Sequence, residues 1–382
     1  MENNNPQPAN PYGQPVNPYA QPGNPYGPAA NPYIAEPQGV YPNDQTAAPA
    51  FNVRAHRKFF SRVGMSYFVL LIITFVIQIA IRIVVELAAP ELMDIYLLKI
   101  IFALAPMYLV GAPVAYLMLR RLPAESPERD EWSPLQYIGG FFIAYGVMYV
   151  GNFIGTYLGM IIEAFVPDAS ASTNEVQNLV LTGEMWVNIL FMVFVGPVVE
   201  ELLFRKMLCD RLRTYGEKVT VILSGLMFGL FHGNLTQGVY AFLLGCIFAY
   251  VYLKTGKILI TISYHIIINF CGSVIPLLAL SSLDLEEFSR IFEEGDLNRA
   301  GEYILTNAPG LGLYFGYLAF AMVGMILGII LLIVTAARGR IEMKPGRITI
   351  PSGKKFAVIV INAGMILFFA INIFSIIASM FA

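Results

Sequence analysis

Nine apolar segments, each long enough to span a bilayer, follow one another along the chain, and no other feature narrows the fold so far. They fall at roughly 63–87, 95–119, 135–162, 186–208, 219–235, 238–253, 258–280, 313–336 and 356–380. A lipid interior offers backbone N–H and C=O groups no partner, so each segment is expected as a helix that closes its own hydrogen bonds. Composition agrees, because 57% of the 382 residues are hydrophobic and only 13% are charged, more apolar surface than a soluble domain of this size buries. The expected fold class is all-α: a polytopic transmembrane helical bundle of about nine spans, preceded by a disordered N-terminal tail.

That tail covers residues 1–52 and repeats Asn-Pro-Tyr at 10–12, 17–19, 24–26 and 31–33. Proline in every repeat forbids a continuous helix, and the segment has too few aliphatic residues to form a core. It reads as a docking tether or as a dispensable extension.

Basic residues test the topology of the rest. Arg54, Arg57, Lys58 and Arg62 precede the first span, Arg120 and Arg121 follow the second, Arg211, Arg213 and Lys218 lie between the fourth and fifth, and Lys254 and Lys257 between the sixth and seventh. Arg338, Arg340, Lys344, Lys354 and Lys355 separate the last two. Every second connection is therefore basic, which places the N-terminus and those connections in the cytoplasm and the C-terminus outside, with the plasma membrane of a bacterium as the expected location. The acidic segment 284–295 has Leu285, Phe288 and Phe292 at helical spacing and is expected as a short helix on the outer surface. A net charge of −2 leaves no basic footprint, so no nucleic-acid partner is expected. Cys209, Cys246 and Cys271 lack metal or disulfide spacing and read as small buried hydrophobes.

Ionisable side chains inside a span are costly and mark a site or a bundle-interior pair. Arg82 and Lys99 lie near span ends, where long side chains reach water. Glu200 and Glu201, in VGPVVEELLFRKML, have no such escape. Glu201 and Arg205 are four residues apart and share a helix face, whereas Glu200 is turned about 100° away. Glu201 is thus expected to be held ionised by Arg205, with Glu200 projecting into the bundle. Of the three histidines, His56 lies in the basic stretch RAHRKFF and is expected to be solvated, while His232 and His265 fall within apolar spans.

Depth brings them together. The fourth and fifth segments form a hairpin turning near Tyr215 and Gly216, with Glu200 sixteen residues before Gly216 and His232 sixteen after it. Each lies roughly 24 Å from the turn. The seventh segment starts at Lys257 and carries His265 and Asn269 on one face, about 12 and 18 Å in. Three helices therefore deliver Glu, His, His and Asn toward one layer.

In this order the residues form EExxxR (Glu200, Glu201, Arg205), FxxxH (Phe228 to His232) and HxxxN (His265 to Asn269). The set resembles the CPBP family of intramembrane proteases, also called the Abi family, which includes the type II CAAX prenyl endopeptidases. The resemblance covers about residues 186–272 and is supported by Gln237, Gly245, Tyr252, Thr255 and Gly256; Lys206 departs from it, standing where many members have glycine. It implies hydrolysis of a peptide bond within or at the membrane, with Glu200 and His232 activating a water. A carboxylate in an apolar cavity can take a proton from water and pass it to the leaving amine. His265 and Asn269 carry N–H donors for the oxyanion, and Glu201, Arg205 and Phe228 would support the helices.

The family is also described as metal-dependent. If zinc is present, Glu200, His232 and His265 would hold it with an open position for water. HExxH is absent. Both mechanisms stay open, the metal-free one being preferred. On this reading the chain divides into the tail 1–52, N-terminal transmembrane helices 53–185, a catalytic core 186–280 and C-terminal transmembrane helices 281–382. The expected partners are a peptide or protein substrate with a membrane-associated end, and membrane lipid. The alternatives are a proton-coupled transporter, for which the inverted repeats common in such carriers are not seen, and a non-catalytic bacteriocin-immunity or scaffold protein.

Overall fold

The computed structural model describes residues 51–172, 183–281 and 283–381. The Asn-Pro-Tyr repeats, expected to be disordered, lie outside the described residues. The side chains of Leu285 and Phe292 are outside them as well. Everything described belongs to one compact unit, Asp44–Ala382.

The helices are α1 (Val53–Ala88), α2 (Tyr96–Leu119), α3 (Pro134–Phe165), α4 (Met185–Tyr215), α5 (Glu217–Phe231), α6 (Leu235–Thr255) and α7 (Ile258–Ser281). Two short helices, α8 (Leu285–Glu294) and α9 (Leu297–Thr306), lead to α10 (Ala308–Ala337), followed by α11 (Lys355–Ile359) and α12 (Ala363–Ser379). No strand occurs among the described residues. The chain is an integral membrane helical bundle. Local chemistry sets the ends: Ser133 and Gln136 form a reciprocal capping box ahead of α3, with Pro134 in the first turn where its missing N–H is harmless.

Each of the nine expected segments is helical, but fewer helices cross in one piece. Seven are long and apolar enough, and an eighth span results if α11 and α12, bent 66° at a short break, act together. Asn362 sits in that break, donating to the Val358 and Ile359 carbonyls and accepting from the Met365 N–H, so the bend leaves few backbone groups unpaired. The other departure is α5, whose 15 residues extend about 22 Å and fall short of a hydrocarbon core of about 30 Å. It stops because Gly233 takes φ +65° and Asn234 caps α6 by accepting from Gln237 N–H. His232 thus terminates a helix rather than lying within one.

α3 packs against α6 and α10, α6 against α5, and α1 against α2 and α12; α4 and α7 contact each other between these groups. Close approach depends on small residues. A Cβ on Gly229 of α5 would stand 2.5 Å from the Gly238 carbonyl oxygen and 2.8 Å from Phe242 Cβ on α6. One on Gly155 of α3 would stand 2.8 Å from Thr236 Cα.

The basic connections meet at one end of the bundle. Glu217 accepts from Lys254 Nζ at 2.6 Å and from the Lys344 backbone N–H at 2.8 Å, and Ile348 N–H donates to Thr214 at 2.9 Å. Asp210 accepts from Tyr252 at 2.7 Å and pairs with Lys206 at 2.8 Å. Lys344 donates to Glu128 at 3.1 Å, which holds that carboxyl below its usual range. These contacts fix the depth of α4, α5 and α6 relative to one another. The expectation that His56 is solvated is corrected here: it is buried, stacked on Phe51 at 4.5 Å, with Nδ1 3.0 Å from the Tyr215 hydroxyl. The α4–α5 turn folds back over it and removes it from water.

Gly229→Ala should lower stability by about 1–3 kcal/mol through overpacking at the α5–α6 contact. Gly139→Ala meets nothing within 4 Å and should be neutral or stabilising, since alanine favours helix by about 0.5–1 kcal/mol. Thermal unfolding of both variants in detergent checks the contrast.

Candidate active site

The carboxylates lie on an irregular stretch of α4. Across Ile189–Val195 and again across Leu202–Cys209 the backbone hydrogen bonds close over five residues, and the ordinary turn Gly196–Glu201 sits between them. Such widened turns are rare and cluster at functional positions. The Gly196 N–H bonds back to the Phe191 carbonyl. In that register the Met192 carbonyl would need a proton from residue 197, and Pro197 has none. Asn269 supplies it from α7, its Nδ2 donating to Met192 at 2.9 Å.

Glu201 and Arg205 have fully buried side chains, with Arg205 Nε 3.0 Å from Glu201 Oε2. The pair is close but not aligned as a hydrogen bond, and Arg205 Nη1 and Nη2 have no hydrogen-bond partner among the described residues. The guanidinium lies instead over Phe228 at 4.6 Å and Phe248 at 5.4 Å, whose ring faces attract a desolvated cation. The other Glu201 oxygen is 3.2 Å from His265 Nδ1. An ionised carboxylate only accepts, so His265 donates through Nδ1 and turns Nε2 the other way.

Nε2 of His265 is 3.6 Å from Glu200 Oε2. Glu200 keeps 18% of its side chain exposed where Glu201 keeps none. One imidazole thus stands between a sealed carboxylate and an open one. His232, at the end of α5, fixes its ring through Nδ1 at 2.8 Å from the Phe228 carbonyl and feels the charges of Glu200 and His265. Both imidazoles stand nearly perpendicular to Phe228, with centroids at 4.8 and 5.9 Å.

The sequence-predicted residues Glu200, Glu201, Arg205, Phe228, His232 and His265 therefore gather in one layer. Asn269 reaches α4 as well, but one of its donors is committed to Met192. Glu201 has a partner that its spacing did not announce, His265, because intrahelical spacing reveals only neighbours on the same helix. Tyr108 on α2 also reaches this layer and was not anticipated; the signal available was Pro106, which opens a widened turn over Pro106–Gly111.

Nδ1 of each histidine is engaged, which leaves Nε2 of each as the nitrogen that could bind a water or a metal ion; among the described residues no three His, Cys, Asp or Glu side chains are grouped closely enough to hold a metal ion as they stand.

Fold and site together define a polytopic helical membrane protein with a Glu–His centre built inside the bundle. Residues 182–271 match the family model described as type II CAAX prenyl endopeptidase Rce1-like. The chain is 28% identical over 165 residues to a Bacillus subtilis (strain 168) protein described as "Putative membrane peptidase YdiL". That alignment covers 41% of this chain and 64% of the relative, so the chain spans less than two thirds of the relative's length. No solved structure matches.

Two measurements test the site as built. Glu201→Ala strands a buried Arg205 and should lose about 3–5 kcal/mol of stability, whereas Glu200→Ala, which breaks no such pair, should unfold close to the wild-type temperature. Asn269→Ala should lose about 1–3 kcal/mol by unpairing the Met192 carbonyl. Pro197→Ala returns an N–H to that carbonyl, so the double variant should recover part of the loss, and a double-mutant cycle by thermal unfolding measures it.

Proposed function

We propose that the protein is an intramembrane endopeptidase that hydrolyses a peptide bond in a membrane-associated or lipidated peptide by means of a water activated by Glu200 and His232. The observation that carries this reading is the placement of Glu200, with part of its side chain open, 3.6 Å from a histidine that a second, sealed glutamate orients.

Glu200 takes a proton from water as the water oxygen bonds to the scissile carbonyl carbon, and the carbonyl electrons move onto oxygen. The carbon–nitrogen bond then breaks, and Glu200 passes the proton to the leaving amine. His232 holds the water through the ring nitrogen not committed to Phe228. His265, kept in one orientation by Glu201, faces Glu200 through Nε2, an arrangement that is favourable when one proton lies between them. The free N–H of Asn269 and a protonated His265 are donors for the developing oxyanion.

The remaining expectations join this proposal. Residues 186–280 form the catalytic unit, flanked by the helices of 53–185 and 281–382. The basic end of the bundle faces the cytoplasm in a bacterial plasma membrane. The partners are a peptide with a membrane-associated end and the surrounding lipid, with no nucleic acid.

Purified protein incubated in detergent with a library of lipidated and apolar-tailed peptides should cut a defined bond, and Glu200→Gln should slow that cut by about 10²–10⁴-fold. Cleavage by Glu200→Gln at the wild-type rate would overturn the assignment. Solute uptake into proteoliposomes with no cleavage would favour a carrier instead.

A further inference from the structure

Tyr108 takes no part in the scheme above, yet its hydroxyl lies at the turn that carries Glu200. A Cβ built on Gly196 would stand 3.3 Å from the Tyr108 hydroxyl oxygen. Gly196 and Glu200 are four residues apart on one helical turn. Helical side chains lean toward the N-terminus of their own helix, so the Glu200 carboxylate leans toward the surface that Gly196 leaves bare. The phenol occupies that same bare surface from α2. It lies within electrostatic reach of Glu200.

Two further observations say what the hydroxyl is free to do. Every hydrogen bond described for α2 is made by other groups, so the Tyr108 hydroxyl has no partner among the described residues. Asn269, by contrast, has one amide hydrogen committed to the Met192 carbonyl. The site thus presents an uncommitted O–H donor beside the carboxylate that activates water, on a helix outside the segment matching the family.

We propose that Tyr108 is a further catalytic residue of this site, donating a hydrogen bond to the oxyanion that forms on the scissile carbonyl of the bound peptide. The inference rests on the endopeptidase reading. No proton is transferred from Tyr108: as water adds, the carbonyl electrons move onto oxygen, the phenol hydrogen bond strengthens toward that charge, and it relaxes when the carbon–nitrogen bond breaks and Glu200 returns its proton to the amine. Such a donor matters most in the transition state, so its removal lowers kcat and kcat/KM together.

The test uses the full-length protein and the library peptide that the wild type cuts. Tyr108→Phe removes only the oxygen and should lower kcat by about 10²–10³-fold with little change in KM. Tyr116→Phe, half exposed on α2, should behave as wild type. Wild-type cleavage, loss in Glu200→Gln and full kcat in Tyr108→Phe would overturn the role of Tyr108 alone. Absence of any wild-type cleavage would overturn the endopeptidase reading and this role with it. A second readout needs no turnover: 3-fluorotyrosine placed at 108 should change its fluorine resonance when Glu200 becomes Gln, and an unchanged resonance would overturn the juxtaposition itself.

Discussion

A sealed ion pair between Glu201 and Arg205 is the constraint on which the rest of the site depends. Neither side chain touches solvent, and the guanidinium ends lack hydrogen-bond partners among the described residues. A buried pair of this kind is poor evidence of stability in itself, since desolvation offsets much of the attraction. What it does supply is direction. Phe228 and Phe248 present their faces to Arg205, and the second Glu201 oxygen accepts from Nδ1 of His265, with the Thr261 hydroxyl also beside the carboxylate. The EExxxR, FxxxH and HxxxN segments are thereby joined through one charged group rather than through three separate contacts.

The irregular backbone follows from the same need. In a regular α4 the carbonyl left without a partner by Pro197 would be that of Val193. The widened turn before Gly196, with proline at 197, shifts the partnerless carbonyl to Met192, toward α7. Asn269 meets that demand, so the contact between α4 and α7 has a register set by a single hydrogen bond. At the basic end of the bundle Glu217, joined to Lys254 and to the Lys344 backbone, holds α5 and α6 level. His232 and His265 keep their heights relative to Glu200 because both ends of the arrangement are tied.

Much of this was legible in the sequence because depth in a membrane follows from residue count. Equal spacing on either side of Gly216 placed Glu200 and His232 at one level, and four-residue spacing paired Glu201 with Arg205. Span number was less legible: the apolar run of α5 reads like that of a crossing helix, and the 15-residue helix is ended by the local turn chemistry of Gly233 and Asn234 rather than by a change that mean hydropathy registers. His56 was misread because a basic stretch suggests water, whereas the chain folds Tyr215 over it. The Glu201–His265 contact and the approach of Tyr108 to Gly196 join helices far apart in sequence. No periodicity within one segment encodes such contacts; they depend on how α2, α4 and α7 are rotated about their axes.

The adjacency of the two glutamates has its own logic. Side by side on a helix they point about 100° apart, so one can face the sealed interior while the other faces the partly open layer. Two carboxylates on the same face would repel each other and compete for Arg205. Placed as they are, the first is sealed inside the protein between Arg205 at 3.0 Å and His265 at 3.2 Å, while the second lies 3.6 Å from His265 Nε2 and retains exposed surface. A group that is to exchange protons with water needs incomplete satisfaction, and a group that is to hold an imidazole in place needs the opposite. The backbone turn between residues 200 and 201 separates those two requirements by a single residue, which explains how a bundle otherwise suited to lipid accommodates both charges.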